Sequence, residues 1–196
     1  MGNGEAQFDL QEREKRELLS LARRAITAAA RGITEVDRIL AGDDCRHPSL
    51  RRSAGVFVTL RQKGALRGCI GTIRTEEPLY RAVIEAAVSS AIRDPRFSPL
   101  GEEELEKTQI EISVLTPFRT IEQVEEIIVG QHGLYMRHGL NTGLLLPQVA
   151  TEYGWDREEF LEHCCLKAGL PPGAWREGET EMMIFRALVF GEGEDV

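Results

Sequence analysis

Several of the usual carriers of chemistry are scarce in this chain of 196 residues. Its four cysteines, at positions 45, 69, 164 and 165, have neither the spacing of a secreted disulfide framework nor that of a zinc finger, zinc ribbon or iron–sulfur site. No metal centre and no cofactor is therefore expected. No apolar run approaches the roughly 20 residues needed to span a bilayer, and the charged opening from Met1 to Arg16 lacks the apolar core of a signal peptide. A cytoplasmic protein with no membrane association is the expectation. A phosphate loop, a dinucleotide fingerprint and a nucleophile elbow are all missing. So are internal repeats, long linkers and low-complexity tracts.

Acid is absent from one long segment. Between Arg46 and Arg74 there is no Asp or Glu, and the seven basic residues there (Arg46, Arg51, Arg52, Arg61, Lys63, Arg67 and Arg74) stand in a chain whose net charge is −8. A positive field on an acidic protein suits an anionic ligand. Its plainer explanation is a set of arginines that face solvent or pair with acids elsewhere.

Inside that segment lies the most informative stretch, Leu66-Arg67-Gly68-Cys69-Ile70-Gly71-Thr72, where two glycines bracket a cysteine within a strand pattern. Glycine weakens a strand, so it marks a bulge or a place where a ligand or another backbone comes close. With Val56 to Leu60 as the first arm, the segment reads as a β-hairpin. A three-residue loop at Gln62-Lys63-Gly64 places Val56, Val58, Leu60, Leu66 and Ile70 on one face and Arg67, Cys69 and Gly71 on the other. A two-residue loop at Lys63-Gly64 slips the register and sends Cys69 among the valines. The first register sorts the apolar residues better and is preferred. Arg67 and Cys69 then lie roughly 6 to 7 Å apart on one face, close enough for the guanidinium to favour the thiolate.

The rest of the chain mixes helices and strands. Residues 9–31 read as an amphipathic helix capped by Asp9 in a box with Glu12, and 33–54 as mostly loop. A helix follows from Pro78 to Ile92, then a rigid Asp94-Pro95-Arg96-Phe97 turn and a short helical stretch from Glu102 to Lys107. Gln109 to Thr116 alternates as a half-buried strand that turns Glu111 away from the main core. Short strands are expected near 134–137 and 144–146, and a helix opens at Trp155-Asp156-Arg157-Glu158-Glu159 with an Asp156/Glu159 box. Met182 to Phe190 reads as one closing strand, and 192–196 as a fraying acidic tail. His163-Cys164-Cys165 points to packing, because neighbours on a helix diverge by about 100°. His47, His132 and His138 read as loop residues with no partner at ligand spacing.

Leu66 to Thr72, Asp94-Pro95-Arg96-Phe97, Ile110-Glu111-Ile112-Ser113-Val114-Leu115 and Gly143-Leu144-Leu145-Leu146-Pro147-Gln148-Val149-Ala150 together closely resemble the AMMECR-type domain family, as do Trp155 and Lys167-Ala168-Gly169-Leu170-Pro171. The resemblance covers nearly the whole chain in order. It implies an α+β fold, an antiparallel β-sheet flanked by α-helices with a smaller second lobe, in a single AMMECR-type domain over 1–196. It is similar in particular to the A component of the AmmeMemoRadiSam system, which implies Memo-like and radical-SAM proteins as partners. The family brings no settled activity, so function has to be argued from the site.

The expected site is a cleft on Leu66 to Thr72 that binds an anionic small molecule or a modified macromolecular group. Cys69 is the candidate nucleophile, with Arg67 to attract the anion and Gly68, Gly71 and Thr72 to admit it. Glu111 is the candidate acid or base, and Asp94 and Arg96 line the cleft. A second reading is a non-catalytic module whose basic 46–74 segment docks a protein or nucleic acid. A third is a motif whose glycines serve close backbone packing alone.

Overall fold

The computed structural model describes residues 9–40, 45, 47–73 and 76–193. The chain divides into two compact units, residues 1–115 with 188–196, and residues 116–187.

In the first unit, α1 (Glu12–Ala30), α2 (Val36–Leu40) and α3 (Leu79–Ile92) accompany strands β1 (Val56–Gln62), β2 (Ala65–Thr72), β3 (Thr108–Leu115) and β8 (Ala187–Gly191), in the sheet order β2-β1-β3-β8. The β1–β2 and β1–β3 pairs are antiparallel. One sheet face is apolar: Val56, Val58 and Leu60 alternate with Ile110, Ile112 and Val114, all at most 1% exposed, and they pack with α1 and α3. Burying each such side chain contributes about 1.5 to 3 kcal/mol. The period-2 alternation read in 109–116 thus marks the strand that anchors this core.

Helix α1 starts later than its sequence suggests. Gln11 is its N-cap, and Glu14, not Glu12, reaches back to the Gln11 N–H at 2.7 Å while another of its oxygens accepts the Ser49 hydroxyl. The expected loop over 33–54 is interrupted by α2 and a short 3₁₀ turn at Pro48–Arg51, which bury Ile39, Leu40 and Leu50, while 41–44 and 46 lie outside the described residues. The expected tail docks at its first residue: Glu192 accepts from Arg23 Nε at 2.9 Å and from the Ile110 N–H at 3.0 Å. Residues 194–196 of that tail lie outside the described residues.

The second unit holds β4 (Arg119–Ile121), β5 (Gly133–His138), β6 (Asn141–Leu145) and β7 (Glu181–Phe185), in the order β4-β7-β5-β6, with α4 (Pro147–Tyr153) and α5 (Arg157–Lys167). Asp156 caps α5 with Glu159 in the expected box. Phe160, Leu161, Cys164 and Cys165 of α5 fill this core with Leu134, Met136 and Ile184. The single closing strand expected over 182–190 is two strands, β7 and β8, in different sheets. The break falls at Arg186, whose N–H bonds Thr116 Oγ1 and whose carbonyl takes the Thr116 N–H, both at 2.8 Å. Two antiparallel sheets flanked by helices make the fold α+β. Among the described residues no helix is long and apolar enough to cross a membrane.

Candidate functional site

Strand β2 is an edge strand, and its hairpin differs from the expected one. Lys63 and Gly64 both have positive φ, 51° and 82°, and form a two-residue turn between Gln62 and Ala65. The register then shifts between Leu60 and Arg61, so that Leu60 faces Gly68 while Arg61 faces Leu66, with Arg67 as the extra residue of a bulge. The bulge restores the side-chain parity that the shorter turn would have reversed. Cys69 therefore lies opposite Thr59, on the face away from the valines, as the longer loop would have placed it. Leu66 is the casualty: it leaves the core face and is 38% exposed.

Both motif glycines are spoken for by the protein itself. A Cβ on Gly68 would collide with the backbone carbonyl oxygen of Ser90 in α3, and one on Gly71 with the Val56 carbonyl and the Phe57 ring. The bare backbone at Gly68 lets α3 settle onto the sheet, and the Ser90 hydroxyl enters between the strands. It accepts the Ile70 N–H at 2.8 Å and donates to the Val58 carbonyl at 2.7 Å. Close backbone approach, not room for a ligand, accounts for these two positions.

The outward edge of β2 is capped at Cys69 by the Asp-Pro-Arg turn. Asp94 Oδ2 accepts the Cys69 N–H at 2.8 Å, and Arg96 Nη2 donates to the Cys69 carbonyl at 3.2 Å. Arg96 also grips Asp94 through Nε at 2.9 Å and Nη2 at 2.7 Å. This hydrogen bonding from Arg96, with that from the Cys69 N–H, overcomes burial and holds the Asp94 carboxyl at about 2.

The Cys69 thiol is half-buried and accepts a hydrogen bond from Thr59 Oγ1 at 3.3 Å. Burial pushes its pKa up, and Asp94 and Glu111 push the same way. The Thr59 hydroxyl and the charge of Arg96 oppose them without reversing the shift. The expected activation by Arg67 is absent because that guanidinium turns to Glu104, bonding its two oxygens through Nε and Nη2 at 2.9 Å each. Glu104, also bonded by the Gly101 N–H, is held at about 2. The bulge at Arg67 is the structural reason, since it takes this residue out of the alternation that would have set it beside the thiol.

Cys69, Thr59 and Glu111 form one transverse row across β2, β1 and β3, since Cys69 pairs with Thr59 and Thr59 with Glu111. Glu111 Oε2 lies 4.0 Å from Arg61 Nε. Near this row the guanidinium carbons of Arg96 and Arg67 stand 5.5 and 5.9 Å from the Phe97 ring centroid. Four of the expected residues (Arg67, Cys69, Asp94 and Arg96) thus belong to one connected network through the Asp94–Arg96 cap and the Phe97 ring, and Glu111 lies across the sheet, while Gly68 packs against α3. Gly71 and Thr72 instead line a slot beside α3.

Thr59, Ser90 and Glu104 join the site without a place among the sequence-based candidates. The register alone would have disclosed Thr59. The adjacent serines in the apolar run Ala86-Ala87-Val88-Ser89-Ser90-Ala91 were the available signal for Ser90, because a serine on the buried face of a helix needs a partner.

The remaining candidates lie elsewhere. His47 Nε2 is 3.3 Å from Glu17, a carboxylate partner remote in sequence. His163 stacks on Trp155 with ring centroids 3.8 Å apart, and Cys164 and Cys165 are fully buried. Of the basic 46–74 segment, Arg46 and Arg74 lie outside the described residues, while Arg61 and Arg67 have acids as neighbours.

A family model described as AMMECR1 matches residues 19–190. A protein of Methanothermobacter thermautotrophicus is 47% identical over 186 residues, covering 91% of this chain and 94% of the relative. Protein MK0488 of Methanopyrus kandleri is 49% identical over 154 residues, 74% of each chain. The crystal structure of uncharacterized protein PH0010 from Pyrococcus horikoshii superposes with a TM-score of 0.83 at 42% identity, covering 90% of both chains.

Proposed function

The chain belongs to the AMMECR1 family, and from that premise we propose that it acts as a binding protein whose ligand seats a polar or anionic end on the Cys69–Thr59–Glu111 row. Cys69 serves there as an uncharged hydrogen-bonding thiol and not as a resting thiolate nucleophile. The observation that carries this reading is the charge arrangement around the sulfur. The guanidinium that favours the thiolate, Arg96, is already matched by Asp94, and two carboxylates bear on the thiol against it. An anionic end is supported by Arg96 and Arg67 beside Phe97, because both spend Nε and Nη2 on carboxylates and neither Nη1 is committed among the described residues.

The alternative of docking nucleic acid through the basic 46–74 segment is less favoured, since Arg67 is tied to Glu104 and Arg61 faces Glu111. Memo-like and radical-SAM proteins, the partners implied by the family likeness, belong to this proposal as proteins that would bring or take the bound group. Four unpaired cysteines suit a reducing compartment such as the cytoplasm.

A chloroacetamide probe applied at neutral pH, with labelled sites mapped by mass spectrometry, tests the reading. Labelling of Cys69 no faster than that of free cysteine is expected. Labelling tens of times faster would restore the nucleophile and overturn the binding-only role.

A further inference from the structure

The outward edge of β2 does not end at Cys69. Cys69 turns its N–H and carbonyl away from β1 toward Asp94 and Arg96, and by the two-residue repeat of the strand Gly71 does the same. Among the described residues no turn, loop or side-chain hydrogen bond reaches the Gly71 N–H or carbonyl. Gly71 also borders a slot of about 350 Å³ between β2, α3 and α2. Val36, Ile70, Ala82 and Ala86 give it an apolar lining, with Glu77 and Glu85 among its charged residues. An unpaired strand edge beside an apolar slot is the arrangement that receives an added strand.

We propose that this edge captures an extended peptide segment of a partner protein, carrying an aliphatic side chain and a basic side chain on either side of one residue that pairs with Gly71. That central residue exchanges two main-chain hydrogen bonds with Gly71. The residues before and after it then point to the α3 side of the sheet, the side of Ile70 and Thr72, where the slot lies.

Charge selects the basic neighbour. Among the described residues that line the slot, Glu77 and Glu85 stand against Arg81, an excess of one negative charge. Arg81 is held by Asp37 at 2.9 Å and Glu77 at 3.2 Å, and Arg93 by Glu85 at 2.6 Å. The Asp94–Arg96 pair already occupies the neighbouring outward position, so the peptide is limited to one hydrogen-bonded pair on this edge. This surface is independent of the role assigned to Cys69, whose side chain lies on the opposite face.

The test uses the full chain and the capped tripeptide acetyl-Val-Ala-Lys-amide, followed by amide NMR. Saturable shifts at Gly71, Thr72 and the first half of α3 are expected. Methylating the alanine nitrogen of the tripeptide removes one hydrogen bond and should weaken binding about tenfold. Glu85→Lys, at an exposed position, should weaken it about threefold. Silence at Gly71 and Thr72 would overturn the proposal, as would equal binding of the methylated peptide. Gly71 shifts that appear on concentrating the protein alone would assign the edge to a second copy and overturn it as well.

Discussion

The two units solve one packing problem in the same way and differ in what they leave beside it. In each, an edge strand carries a glycine onto which a helix carbonyl settles: Ser90 of α3 on Gly68 in the first unit, and Cys164 of α5 on Gly143 in the second, where an added Cβ would lie 2.5 Å from the Cys164 oxygen. In each, the same helix residue turns its side chain to the strand backbone. The Ser90 hydroxyl bonds Val58 and Ile70, and the Cys164 thiol faces the Leu134 and Gly143 carbonyls at 3.6 Å. The recurrence teaches that a strand glycine under a helix is an architectural device here. The distinguishing chemistry of the first unit lies in what the second lacks a counterpart for, the Cys69–Thr59–Glu111 row and the Asp94–Arg96 cap on the strand edge.

Substitutions can break that comparison in graded steps. Gly68→Ala should be the most damaging, lowering stability by about 3 kcal/mol, because the collision is with helix backbone that has nowhere to move. Gly143→Ala should cost about 2 kcal/mol for the same reason. Urea unfolding of both variants checks this, and a tolerated Gly68→Ala would separate the units and return that glycine to the ligand.

Ser90→Ala should cost about 1 to 3 kcal/mol by stripping a partner from buried strand groups. Cys164→Ala should cost less, since its contacts at 3.6 Å are weak ones. An equal loss would mean that the two helix side chains do the same work despite their different chemistry.

The edge cap gives a smaller effect that depends on pH. The carboxyls of Asp94 and Glu104 fall from ordinary values of 3.8 and 4.5 to about 2 on folding. Both therefore stabilise the fold fully above their ordinary values and lose that contribution as pH falls toward 2. Unfolding midpoints measured across this window should decline for the natural chain and decline less for Asp94→Asn. An unchanged slope would remove Asp94 from the account.

How much of this could be read from residues alone follows from which forces are local. The alternation of Ile110, Ile112 and Val114 announces a half-buried strand, and the Asp156/Glu159 box announces α5, because each signal is completed within a few residues. The expected α+β fold with a smaller second lobe is what the family likeness implies. The glycines of the motif were legible as close approaches, but their partners were not, since Ser90 lies 22 positions beyond Gly68 and only the docked helix brings it there. The bulge at Arg67 was invisible for a related reason: it compensates a turn whose length sequence leaves open, and it diverts the arginine to Glu104. The alternation of the hairpin puts the thiol on the face where it lies, but the charge around it comes from Asp94, Arg96 and Glu111 and not from Arg67. The break at Arg186 was hidden because Met182 to Phe190 is apolar on both sides of it, and each half serves a different sheet.

The protonation state of Cys69 is the most direct test of the account. Thiolate absorbance in the ultraviolet, followed against pH as the difference between the natural chain and Cys69→Ser, should show no Cys69 signal at neutral pH and a half-point above the ordinary thiol value of 9.0. A half-point below that value would mean that the sulfur is activated where it sits, and would contradict the account of a neutral binding thiol.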